Sequence, residues 1–167
     1  MADPKLDILA IAAHPDDVEL SSSGTLIKHK QLGKKVGIID LTLGELGSRG
    51  SAEIRQLEAA KAAEVMGLDA RVMLDLGDGF FEVNEETLKE LITHIRRFKP
   101  EVVLCNAVMD RHPDHGRGSE LASRACFLSG LVRIETVFDG ELQEKWRPKS
   151  VYHYIQDRHI DPDFVVD

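Results

Sequence analysis

Two short stretches hold most of the side chains in this chain that could do chemistry. His14-Pro15-Asp16-Asp17 ends the apolar run from Ile8 to Ala13, and Arg111-His112-Pro113-Asp114-His115 ends another in the second half of the chain. Histidine and carboxylate at the end of an apolar segment are costly to desolvate unless something compensates them. A cation would do so. Both residue types suit a catalytic zinc, which takes three protein ligands and keeps a position open for water. His14 and Asp17 supply two ligands from one turn, and His115 or His112 the third. Asp16, next to a ligand, is placed to take a proton from the water. The competing structural reading has both aspartates capping the following segment and His14 satisfying a carbonyl. It accounts for one such stretch but not for the pair.

The elements that must bring the two stretches together are legible in the hydrophobic pattern. Strands are predicted at Lys5 to Ala13, Val36 to Leu43, Arg71 to Leu76 and Glu101 to Val108. The first and last are too continuously apolar to be half exposed. Helices are predicted at Thr25 to Gln31 after a serine-rich start, at Ser51 to Met66 before Gly67, at Glu85 to Phe98 behind the cap Asn84, and at Gly118 to Leu131. Strand–helix alternation with short links implies an α/β, Rossmann-like three-layer domain with a mostly parallel sheet. In strand order 3-2-1-4, strands 1 and 4 are neighbours at the topological switch point, so the active site is expected at their carboxyl ends. Past Val132 the pattern changes, with strands expected at Ile134 to Phe138 and Ser150 to Ile155 and no helix between them.

Other classes are disfavoured. A dinucleotide site needs G-x-G-x-x-G after the first strand, where this chain has HPDDVELSSSG; the glycine string Gly44 to Gly50 has the wrong spacing. With 21 basic against 29 acidic residues and a net charge of −8, a nucleic acid partner is not expected. No apolar stretch has the length of a membrane helix and Met1-Ala2-Asp3-Pro4 begins no signal peptide, so no membrane partner and a cytoplasmic location are expected. Cys105 and Cys126 read as reduced, buried core residues. His29 and His94, on charged helices, are expected at the surface. Glu19 reads either as a helix-start carboxylate or as support for a ligand. At 167 residues the chain is read as one domain, 1–167.

Four segments carry a family resemblance: AHPDDVELSSSGTL (Ala13 to Leu26), LTLGELGSRGS (Leu41 to Ser51), DRHPDHGRGSELA (Asp110 to Ala122) and RPKSVYHYIQDR (Arg147 to Arg158). The chain resembles the LmbE-like or PIG-L-type zinc-dependent N-acetylglucosamine deacetylases, most closely the branch that deacetylates N-acetylglucosaminyl malate in bacillithiol biosynthesis. The resemblance implies hydrolysis of the acetamido group of a small N-acetylglucosaminide to acetate and a free amine. The alternatives are another N-acetyl sugar or thiol conjugate, or a nonenzymatic sugar-binding relative; a two-metal phosphoesterase lacks further ligands.

Carried over residue by residue, the resemblance makes His14, Asp17 and His115 the metal ligands and Asp16 the base that returns its proton to the leaving amine. It makes His112 a cationic donor to the developing oxyanion, oriented and charged by Asp114. Arg55 matches a substrate-contacting position, Glu45 and Ser48 fall in the loop lining the sugar, and Arg111 faces substrate. The implied cofactor is Zn2+, with Fe2+ fitting the same donors, and the implied assembly is a homo-oligomer, trimer or hexamer. Pro162 to Asp167 reads as the start of an element, so a C-terminal part of the domain is expected to be missing.

Overall fold

The computed structural model describes residues 3–48 and 50–167. Met1 and Ala2, read above for a signal peptide, and Arg49 of the glycine-rich stretch lie outside the described residues. The elements run β1 (Ile8–Ala12), α1 (Asp17–Ser21), α2 (Ser23–Gln31), β2 (Val36–Asp40), α3 (Ala52–Met66), β3 (Ala70–Met73), α4 (Glu85–Phe98), β4 (Val102–Cys105), α5 (Pro113–Leu128), β5 (Val137–Phe138), β6 (Glu141–Leu142) and β7 (Ser150–His153). Five strands form one sheet in the order β3-β2-β1-β4-β7, with every pairing parallel. This is the expected α/β architecture with β7 added beyond β4.

β1 lies at the centre and is buried on both faces. Successive side chains of a strand point to opposite faces, and β1 divides accordingly. Leu9 and Ile11 join an apolar cluster with α4 and α5, while Ile8, Ala10 and Ala12 join a second with Leu26 and Met66. On α4, Leu88, Leu91, Ile92, Ile95 and Phe98 recur at helical spacing and all enter the first cluster. Each such buried side chain contributes about 1.5–3 kcal/mol over an exposed one. β2 packs closely enough that a Cβ on Gly37 would lie 2.7 Å from Leu6 Cδ1 and 2.9 Å from the Ala70 carbonyl oxygen. Only glycine fits there without movement.

Several sequence expectations are corrected. Helix begins directly at Asp17 rather than near Thr25, broken at Ser22 into α1 and α2. α5 starts at Pro113, not Gly118, because His112 caps it and proline is suited to the first helical position. The tail strand expected at Ile134 to Phe138 is reduced to Val137–Phe138, paired antiparallel with β6 in a separate hairpin. His94 is buried rather than on the surface, its ring stacked 6.4 Å from Phe98 and facing Phe138 across 6.5 Å. Its charged neighbours do not mark an exposed face: Glu90 Oε1 lies 3.6 Å from His94 Nε2, and Arg96 is itself buried.

Cys105 and Cys126 are free and buried, as expected. Burial penalises the thiolate, pushing the Cys126 thiol up to about 12 and that of Cys105 strongly in the same direction. Only the thiolate is nucleophilic. Iodoacetamide at pH 8 should therefore leave the folded protein unmodified over hours and alkylate both residues once denaturant is added. Mass spectrometry reads the outcome; labelling of the folded chain as fast as the unfolded one would contradict the burial.

Candidate metal centre

The turn after β1 is built by its own side chains. The backbone N–H groups of Asp16 and Asp17 donate to the His14 carbonyl at 2.8 and 3.3 Å, and the His14 N–H donates to Asp17 Oδ2 at 3.0 Å. Pro15 has no N–H to satisfy, so the loop closes with its polar groups paired. Across the sheet, β1 pairs with β4 in the register Ile11↔Cys105. Asn106, next after β4, accepts the Ala13 N–H on Oδ1 at 2.8 Å, joining the ends of the two strands.

His14, His112 and His115 converge, with donor atoms all within 4.8 Å of one another. Their ring centroids are 4.7 Å apart for His14 and His112, 4.9 Å for His112 and His115, and 5.5 Å for His14 and His115. Asp17 reaches two of them, with Oδ1 3.0 Å from His115 Nε2 and Oδ2 3.7 Å from His14 Nδ1. His115 is bracketed, since its Nδ1 lies 3.0 Å from Asp110 Oδ1. A second group, His14, Asp78 and Asp114, also has donor atoms within 4.8 Å, with His14 Nε2 3.0 Å from Asp78 Oδ1 and 3.3 Å from Asp114 Oδ2. The residues read from the sequence as ligands are thus brought together. The histidine cluster also includes His112, while Asp17 meets His14 and His115 in separate pairs, one through each oxygen.

Electrostatics follows from this packing. Burial alone would lower the His14 pKa, but the contact with Asp17 and the charges of Asp17, Asp78 and Asp114 outweigh it and raise it to about 9. Asp17 moves the other way: burial opposes ionisation, and His115, His14 and Asn106 hold its carboxyl well below the usual range. Asp16 is raised, by burial first and then by the Asp17 charge, against the pull of Arg55. His112 is lowered by burial and by the charges of His14 and His115.

The expected cationic His112 charged by Asp114 is not what the geometry provides. His112 Nδ1 accepts the Asp114 N–H at 3.3 Å, leaving Nε2 as the nitrogen that bears the proton. The Asp114 carboxylate turns away, accepting from Arg117 Nη1 at 2.6 Å and from the Gly79 N–H at 2.7 Å. Asp16 is exposed, with Arg55 Nη1 3.7 Å from its Oδ2. Arg55 lies against Gly44, which adopts φ +66° and would bring a Cβ within 2.9 Å of Arg55 Cδ. Glu45 accepts the Asp78 N–H at 2.7 Å, so it braces a neighbouring loop. Arg111 is exposed and donates to Asp157 at 3.1 Å, and Ser48 is exposed. Of the expected substrate residues, Arg55 has its side chain beside the turn after β1, 3.7 Å from Asp16.

Asn106, Gln156, Asp110, Asp78 and Arg117 also belong to this cluster and were not picked out as site residues from the sequence. Asn106 is a polar residue interrupting the apolar run EVVLCNAV, and Asp78 sits between Gly77 and Gly79. Both are turn signals past the end of a strand. Glu19 lies in the first turn of α1, as the helix-start reading has it, and pairs with Arg71, which also donates to Asp40 from Nε at 2.8 Å and Nη2 at 3.0 Å.

The donor set fits a divalent ion that takes imidazole nitrogen and carboxylate oxygen, with Asp17 ionised and three imidazoles in reach. A doubly wound α/β domain with a histidine–carboxylate cluster at its switch point is the class that fold and site define together. Within it, the chain belongs to the PIG-L family (GlcNAc-PI de-N-acetylase), whose pattern matches residues 9–126.

The diacetylchitobiose deacetylase of Thermococcus kodakarensis is 33% identical over 134 residues, 74% of this chain and 50% of that protein. The conserved protein TT1542 from Thermus thermophilus superposes with a TM-score of 0.88 at 39% identity, covering 95% of this chain and 70% of that one. The N,N'-diacetylchitobiose deacetylase from Pyrococcus horikoshii, complexed with its inhibitor MPG, gives 0.82 at 26% identity, covering 96% and 63%. The chain spans about half the length of the curated relatives it matches. Among the described residues, no helix is long and apolar enough to cross a membrane.

Arg71 anchors α1, the helix that follows the turn after β1, through Glu19. Burial pushes the Asp40 carboxyl up to about 6 even though Arg71 lies beside it, so the pair depends on both partners. Breaking a buried pair by removing one partner costs about 3–5 kcal/mol. Arg71→Met should destabilise by that amount in urea unfolding, and a loss below about 1 kcal/mol would show that Asp40 and Glu19 find other partners.

Proposed function

We propose that this chain forms the metal-binding core of a deacetylase that hydrolyses the acetamido group of a small N-acetylglucosaminide, giving acetate and a free amine. The observation that carries the reading is the convergence of His14, His112 and His115, with Asp17 against His14 and His115 and Asp16 exposed beside it. His14, Asp17 and His115 would hold zinc or iron(II). When bound, such an ion polarises an amide carbonyl and lowers the pKa of a water molecule toward about 7.

The remaining work falls to the protein's own side chains. Asp16 is the carboxylate of the turn left open to solvent, with Arg55 as its nearest ion partner. It can accept the proton of an attacking water and deliver it to the departing nitrogen. His112, its Nδ1 occupied by the Asp114 N–H, presents Nε2–H to the oxyanion that develops on the amide. Loss of one such donor typically costs roughly 100- to 1000-fold in rate. Arg55, held beside the turn by the glycine-rich loop, is placed to contact the sugar.

The sugar class is supported by the family and by the two diacetylchitobiose deacetylases among its relatives. N-acetylglucosaminyl malate remains the substrate suggested by the sequence resemblance, and diacetylchitobiose is its direct competitor.

Acetate release from these two compounds and from N-acetylglucosaminyl inositol, with zinc content measured on the same sample, tests the reading. Asp16→Asn should keep the metal and lose roughly 100- to 10,000-fold in rate, the usual contribution of a positioned base. Asp17→Asn should lose the metal. Full turnover by Asp16→Asn, or no acetate from any of the three by the zinc-loaded parent, would overturn it.

A further inference from the structure

Asp17 is held by two amide side chains from separate strands, both beyond the catalytic turn. Asn106 follows β4 and is fully buried; Gln156 follows β7 and lies outside the residues 9–126 that match the family pattern. Asn106 Nδ2 donates to Asp17 Oδ2 at 3.0 Å, and Gln156 Nε2 donates to Asp17 Oδ1 at 3.1 Å. The two amides also bind each other, Asn106 Nδ2 donating to Gln156 Oε1 at 3.0 Å, and the Ala107 N–H donates to the same oxygen at 3.3 Å.

The orientation of this pair is fixed from one end. Asn106 Oδ1 must be the acceptor, because the Ala13 backbone N–H points at it from 2.8 Å. Asn106 Nδ2 therefore faces Asp17 and Gln156. Gln156 then presents Oε1 to Asn106 and Nε2 to Asp17. Every amide hydrogen bond runs in one direction, from the end of β1 to the carboxylate, with no alternative flip that keeps all the contacts.

We propose that Gln156 is a positioning residue for metal binding: it locks the Asp17 carboxylate through Nε2 and thereby couples the edge strand β7 to the metal centre. This rests on the reading of Asp17 as a ligand. A carboxylate whose two oxygens are already fixed loses little freedom when a cation arrives, and partners of this kind typically set metal affinity by roughly 10- to 100-fold. β7 is otherwise distant in sequence from both histidine turns, so Gln156 explains what the fifth strand adds to the site.

Zinc dissociation constants, measured by competition with a chromophoric chelator, test the assignment on the intact chain. Gln156→Met keeps the length and removes both polar atoms; its zinc affinity should fall roughly 10- to 100-fold while the metal-free melting temperature stays near the parent's. Tyr154→Phe serves as the comparison. It removes a buried bond from the same segment, the Tyr154 hydroxyl to the Ile11 carbonyl at 3.1 Å, without touching Asp17. It should lower the melting temperature and leave zinc affinity unchanged. If the parent binds zinc and Gln156→Met binds it equally well, or if Tyr154→Phe weakens zinc as much, the positioning role is overturned and the metal reading stands. If the parent binds no zinc, both fall together.

Discussion

The Asp17 carboxylate lies where the carboxyl ends of β1, β4 and β7 meet, and its two oxygens take hydrogen bonds or close contacts from all three. The His14 backbone closes the turn on it, Asn106 and Gln156 reach it from the neighbouring strands, and His115 Nε2 faces it from the start of α5. A buried negative charge is tolerated only with this degree of compensation. The parallel pairing of β1 with β4 is what makes the compensation available, since it brings residues from opposite halves of the chain to one edge.

The loops around this centre are braced rather than free. Asp78, after β3, touches His14 with one oxygen and accepts the Leu46 N–H with the other, while Glu45 accepts the Asp78 N–H. Arg117, one turn into α5, neutralises Asp114 and donates to the Gly79 carbonyl. The loops following β2 and β3 are therefore tied to the same histidine and helix that carry the metal donors. Asp16 stands out because it is the acidic residue of the turn that this bracing leaves exposed, which suits the proton-exchanging role proposed for it.

The legible part of the structure was the part written in long apolar runs and in the paired turns. The apolar run Ile8 to Ala13 marks the central strand, alternation of strand and helix marks the α/β class whose doubly wound order sets β1 beside β4, and HPDD and HPDH mark the ends that meet. Less legible were contacts that depend on side-chain direction. The family resemblance places Asp114 on His112, yet helical geometry from Pro113 turns its carboxylate toward Arg117, three residues on. Arg111, beside the same motif, extends to Asp157 instead of into the site. Gln156 carries no local signal of its role, because nothing around it in the sequence indicates that a residue after an edge strand reaches back to the first turn. His94 was misplaced since its charged neighbours hid the face it occupies.

The central claim is that the turn after β1 and the start of α5 form one metal centre with two imidazoles and one carboxylate. X-ray absorption at the zinc edge on the zinc-loaded chain tests this directly. The account predicts one zinc per chain, with a first shell of two histidine nitrogens from His14 and His115 and a carboxylate oxygen from Asp17, and loss of the zinc itself in Asp17→Asn. A shell of three imidazoles without a carboxylate, or zinc bound below stoichiometry, would contradict it.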